Sequence, residues 1–168
     1  MEILKSSNQW AKDEVFSSAF FILCGVAFVL ATIGFWQLGK TEVARAFIFP
    51  TLVAGSLLIM AGISFTLSNK NRLSSFKAEY KTDSVTFVKA EIARVEKTLG
   101  EYRNIALKVL PIGIVIAALL IVFIDKPLWR AISITTIALL LCMIWIDSIA
   151  EARLDDYHQK LKAVEQKE

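Results

Sequence analysis

The sequence predicts an all-α membrane protein: a four-transmembrane-helix bundle with a cytoplasmic antiparallel helical extension. Three observations carry that expectation. The chain has 168 residues, of which 55% are hydrophobic and 21% charged, and its mean hydropathy is +0.55. So short a chain has too little interior to hide that much apolar surface from water. The balance also excludes a disordered chain, a collagen and a disulfide scaffold. Second, the apolar residues fall in four blocks, each long enough to cross about 30 Å of hydrocarbon as a helix. Third, the polar stretches after blocks two and four carry heptad stripes.

The first block runs from Val15 to Leu38, the second from about Ala46 to Leu67, the third from about Ile105 to Ile124 and the fourth from about Leu128 to Ile146. Helix is the spanning form, because isolated strands would leave backbone groups unsatisfied in lipid. The first block is too long for a signal-peptide core and no small-x-small cleavage site follows it, so it is expected to stay as an anchor. The chain then divides into a cytoplasmic N-terminal segment (1–14), a first transmembrane hairpin (15–67), a cytoplasmic helical segment (68–104), a second transmembrane hairpin (105–147) and a cytoplasmic amphipathic tail helix (148–168).

Charge sets the orientation. The short connections hold Lys40, Arg45, Lys126 and Arg130, whereas the other fifteen basic residues lie in the N-terminal segment, the central segment and the tail. The positive-inside rule places those three in the cytoplasm. Trp36 and Trp129 sit at the outer ends of blocks one and four, and Trp10 and Trp145 near the inner ends, as an aromatic belt would. Lys108, one turn inside block three, is placed to snorkel back to the surface. The net charge of +3 needs no nucleic acid; a weak attraction of the basic central segment to anionic lipid suffices.

In the central segment Val85, Val88, Ile92, Val95, Leu99, Tyr102 and Ala106 follow alternating spacings of three and four. The stripe leads into block three without a proline, so residues 84–124 predict one helix of roughly 60 Å at 1.5 Å per residue. Gly100 is its weak point, and Pro111 would bend it inside the membrane. Upstream, Leu73, Phe76, Tyr80 and Phe87 form a rougher stripe, and Thr82, Asp83 or Ser84 would suit an N-cap at a break. In the tail Ala150, Leu154, Tyr157, Leu161 and Val164 repeat the heptad spacing. Only Asp125-Lys126-Pro127 joins blocks three and four, so the two stripes emerge side by side and are expected to zip into an antiparallel coil. Lying flat on the bilayer is the competing arrangement for the same stripes.

Small residues recur at helical spacing within the blocks: Ala27, Ala31 and Gly34 in the first, Thr51, Gly55 and Gly62 in the second, Gly113 and Ala117 in the third. Such positions let backbones approach, and close packing drives helix association in lipid. They form a candidate face for bundle assembly or for a membrane partner. Cys24 and Cys142 both lie in the cytoplasmic third of their blocks and read as two buried thiols acting as small apolar residues, with a disulfide disfavoured by location.

Chemistry is absent from the pattern. No ionisable group lies mid-block, which argues against a transporter. The sequence has no HExxH, P-loop, GxSxG or GxGxxG, and its one histidine, His158, follows Asp155 and Asp156 without a nearby cysteine, a poor metal site. The reading is therefore a non-enzymatic binding protein with no cofactor, catalytic residue or metal. Its partners would be the bilayer, a membrane-inserted toxin or another membrane protein, and a second copy of the chain is left open.

In layout, with four spans from Val15 to Ile146, cytoplasmic ends and no catalytic residues, the chain resembles the small four-span bacterial inner-membrane immunity proteins. That resemblance implies a function in neutralising a membrane-inserting or pore-forming toxin, as in a toxin-antitoxin pair. A transmembrane hairpin followed by a cytoplasmic helix is also similar to SLATT-type pore-forming effectors. A scaffold docking a soluble partner on its coil is the third expectation.

Overall fold

The computed structural model describes residues 2–165, without the side chain of Glu2; residues 1 and 166–168 of the expected terminal segments lie outside the described residues. The chain forms α1 (Glu2–Leu38), the short α2 (Glu42–Ala46), α3 (Ile48–Thr82), α4 (Ser84–Asn104), a π-helical turn (Ile105–Val109), α5 (Leu110–Phe123) and α6 (Pro127–Glu165). No strand occurs among the described residues. Four helical stretches, Ile3–Leu38, Glu42–Thr82, Ser84–Phe123 and Pro127–Glu165, are long and apolar enough to cross a membrane.

Local chemistry sets the breaks. Thr41 caps α2 by accepting from the Ala44 amide. Asp83 separates α3 from α4: its extended backbone stops one helix, while Oδ1 accepts from the amides of Val85 and Thr86 and starts the next. An N-cap carboxylate satisfies amides that the first turn leaves without an intrahelical carbonyl. Thr86 Oγ1 donates to the second carboxylate oxygen at 2.6 Å.

The single helix expected over residues 84–124 runs unbroken from Ser84 to Phe123, with a π turn inside it. At Ile105–Val109 the chain widens into a π turn, and the Leu110 amide donates to Ile105 O, five residues back. Pro111 follows directly. It has no N–H to donate and its ring crowds the carbonyl four residues upstream; one extra residue in the turn is a common way to relieve that crowding. Gly100 does not break α4. Its backbone is helical and a Cβ built there meets nothing within 4 Å.

Packing divides the molecule in two. Along the apolar half, α1 and α3 form the most extensive helix pair, α5 packs on α6, and α6 also packs on α1. The buried side chains there are few, centred on Phe21, Leu58 and Ile146. Most large apolar groups face outward, among them Trp36, Phe49, Val122 and Phe123, each over 70% exposed. The polar half is the reverse. Its larger core joins Ile3, Trp10 and Ala11 of α1, Phe76 of α3, Val88, Ile92, Val95 and Leu99 of α4, and Leu154, Tyr157 and Leu161 of α6. An outward-greasy half and an inward-greasy half on the same helices is the profile of rods that pass from one solvent to another.

Candidate functional site

The small residues separate into two groups. Gly55 and Gly62 lie buried at the α1–α3 contact, where a Cβ on Gly55 would stand 2.8 Å from Gly25 O and one on Gly62 would stand 2.9 Å from Ser18 O. Thr51 Oγ1 bonds Thr32 Oγ1 across the same contact at 2.8 Å. Both hydroxyls also bond their own helix, to Phe47 O and Phe28 O. Ala117 is buried, and a Cβ on Gly113 would meet Leu140 at 2.9 Å. These five positions are spent on holding the bundle together. Gly25, absent from the sequence-derived face, is its closest backbone approach.

The second group faces outward. Ala27 and Ala31 are exposed on α1, and a Cβ on Gly34 would meet nothing within 4 Å. The sequence-derived face is thus not one surface but two. Hydrophobicity could not separate them, because helices bounded by lipid are apolar on every side.

The coil forms within one chain. Val88, Ile92, Val95 and Leu99 of α4 are buried with Leu154, Tyr157 and Leu161 of α6, while Tyr102 and Val164 pack at the edge. The ion pairs fix the direction: Arg103 meets Glu151 at 3.3 Å and Asp155 at 3.9 Å, and further back along α4 Glu96 meets His158 at 3.2 Å and Lys162 at 2.9 Å. Hydrogen bonds from Lys162 and His158 hold the Glu96 carboxyl below its ordinary range. Val85, expected in the stripe, is 43% exposed; it lies in the first turn of α4, at the edge of the paired region.

The sequence reading misplaces Trp10. Residues 3–14 of the expected N-terminal segment continue α1, and Trp10 is buried rather than set in an interfacial belt. Its indole stacks on Tyr157 with centroids 5.3 Å apart and planes 9° from parallel. The guanidinium carbons of Arg94 and Arg72 stand 4.6 and 5.8 Å from the indole centroid. Tyr157 Oη donates to Ser7 Oγ at 2.7 Å and to Glu91 at 3.2 Å. Burial, with the charge of Glu91, raises the Tyr157 phenol well above its ordinary value. Glu91 in turn accepts from two nitrogens of Arg94. The signal was present: Ile3, Ser7, Trp10 and Glu14 stand at helical spacing that runs in phase into block one.

Beneath Trp10, where the apolar and polar halves meet, lies a cavity of about 310 Å³ reaching from Trp10, Arg72 and Arg94 down to Phe21, Phe65 and Ile146. Glu14 lines it and forms an ion pair with Arg153 at 3.3 Å. Burial raises the Glu14 carboxyl above its ordinary value of 4.5 despite that cation. Tyr102, also lining the cavity, is pushed up to about 12, by burial first and the Glu14 charge second. Arg72 is lowered by burial and by the neighbouring Arg94 cation. So dense a set of buried charges is expensive to assemble and concentrates at sites that bind something. Cys24 of α1 and Cys142 of α6 are free, half-buried thiols in the apolar half, close enough to influence one another.

Comparisons with family models, curated proteins and solved structures found no match to the chain.

Proposed function

We propose that the four long helices embed in a bacterial inner membrane, with the polar half in the cytoplasm, and that the protein is a non-enzymatic binding protein. Its partner is a transmembrane helix of a membrane-inserting or pore-forming toxin, which it neutralises as an immunity protein. The observation that carries this reading is the outward face of Ala27, Ala31 and Gly34 on α1. The other small residues serve the fold, and these do not. A lipid-facing strip without bulky side chains lets a second helix approach to backbone distance. A helix seated there is held away from the neighbours it needs to build a pore.

The scaffold reading has less support, because the heptad residues it would use are buried against the chain's own helices. The effector reading would need a polar path across the bilayer, and the Thr32 and Thr51 hydroxyls are bonded to one another and to backbone.

The test has two parts. In a background with Cys24 and Cys142 replaced by serine, Gly39→Cys should react with an impermeant thiol reagent applied from outside, and Glu165→Cys should not; the opposite pattern removes the orientation. Cells carrying the neighbouring toxin gene should survive with this protein and die with the Ala27→Leu/Ala31→Leu/Gly34→Leu variant at equal membrane abundance. Equal killing with and without the wild-type protein ends the immunity reading.

A further inference from the structure

The cavity beneath Trp10 is lined by buried polar atoms, donors and the Glu14 Oε1 acceptor alike, that have no hydrogen-bond partner. Trp10 Nε1, Ser17 Oγ and Arg94 Nη1 are buried there without an acceptor. Trp10 and Ser17 are only 7% and 4% exposed. Arg72 lines the same space, and among the described residues its hydrogen-bond acceptor is Asn69 Oδ1, at 3.5 Å. Arg94 has Glu91, but Arg72 forms no ion pair with any described carboxylate. Three unpartnered donors and the Arg72 guanidinium therefore line a space whose own carboxylates do not hydrogen-bond them. Buried donors of this kind call for oxygens from outside the chain, and guanidinium groups favour phosphate oxygens.

A bare anion is a poor fit, because Glu14, Glu101 and Asp147 line the cavity too. Glu14 is committed to Arg153, and Glu101 has only Lys97 at 3.9 Å. A ligand that brings a hydrogen-bonding cation beside its phosphate meets both sets of charges. Depth selects the source. The lining runs from the apolar Phe21, Phe65 and Ile146 to the polar Trp10 and Arg94, the level at which headgroups lie in the embedding proposed above.

We propose that this cavity binds the headgroup of a phospholipid of the phosphoethanolamine type, a phosphate diester bearing a primary ammonium, with Arg72, Arg94, Trp10 and Ser17 around the phosphate and the free carboxylates around the ammonium. The proposal rests on the membrane embedding and is independent of the toxin partner.

The full chain, delipidated in detergent, is offered phosphatidylethanolamine, phosphatidylglycerol and phosphatidylcholine, and retention is read by native mass spectrometry. A parallel thermal-shift series uses water-soluble O-phosphoethanolamine and inorganic phosphate. Phosphatidylethanolamine should be retained about tenfold better than the other two lipids, a difference of about 1.4 kcal/mol. Arg72→Gln, Trp10→Phe and Ser17→Ala should each weaken retention of phosphatidylethanolamine, and Glu101→Gln should erode the preference over the other two lipids, at unchanged helix content. Trp10→Phe and Ser17→Ala are mild enough to serve if Arg72→Gln fails to fold. Stabilisation by O-phosphoethanolamine without a lipid preference upholds the ligand chemistry and assigns it to a soluble ester. Equal retention of the three lipids with no shift from O-phosphoethanolamine overturns the proposal, as does inorganic phosphate acting as well as the ester or wild-type retention in all variants. Reversed thiol labelling, by contrast, removes the embedding without bearing on whether the ester binds.

Discussion

At Gly25 a single added methyl would stand 2.6 Å from Ile59 Cγ1 and 2.8 Å from Gly55 O. The side chain can turn away, but the carbonyl belongs to a facing helix and moves only if the pair separates. Gly25→Ala should therefore lower stability by about 1–3 kcal/mol, the usual cost of overpacking. Gly34→Ala, on the same helix and in open space, should instead raise it by about 0.5–1 kcal/mol, because it removes backbone freedom without meeting a neighbour. Thermal unfolding of both variants in one detergent checks the pair, and equal shifts would mean that α1 and α3 do not meet at Gly25. Glycines are visible in any sequence. Which of them touch is not, because in a helix that is greasy all round composition no longer marks the inner side.

The amphipathic elements were more legible, since water enforces a polar face on them. Val88, Ile92, Val95 and Leu99 were picked out by spacing alone and are buried, as are their partners on α6. Leu161 is fully buried and Val85 is 43% exposed. Leu161→Ala should cost about 2–5 kcal/mol and Val85→Ala less than about 1 kcal/mol, compared by denaturant or thermal melts. Gly100→Ala should add about 0.5–1 kcal/mol, because it removes backbone freedom in mid-helix without meeting a neighbour. The break before α4 carries a pH dependence. Hydrogen bonds from the Thr86 side chain and amide hold the exposed Asp83 carboxyl below its ordinary value of 3.8. A depressed folded value means its contribution is present above that ordinary value and fades as pH falls through the folded one. Amide exchange in the first turn of α4 should accelerate at acid pH beyond the intrinsic trend. In Asp83→Ala it should be fast at every pH. The π turn was not legible, because a proline announces a conflict in the helix ladder without saying which residue absorbs it.

Across the whole molecule, four helices long and apolar enough to cross a membrane and two polar stripes followed from block length and period, but the joining of the polar half did not. Residues 3–14 fall outside the four apolar blocks, and their place in the core comes from partners on three other helices. Trp10 illustrates the difficulty, since an indole near a block end fits an interfacial belt as well as a core. One tertiary contact offers a direct check. Cys24 and Cys142 lie close enough to influence one another, so a mild oxidant applied to purified protein should join α1 to α6 within one chain, seen by peptide mass mapping. A crosslink running only between two chains would contradict this packing. The bond from Tyr157 to Ser7 spans 150 positions of the sequence. A ribosome finishes α1 long before it delivers Tyr157, so the indole and hydroxyl waiting on α1 stay unmatched until synthesis is almost done. Quality-control proteases that survey nascent membrane proteins would thus meet an open surface on every stalled or shortened chain, and a shut one on the product that reached α6.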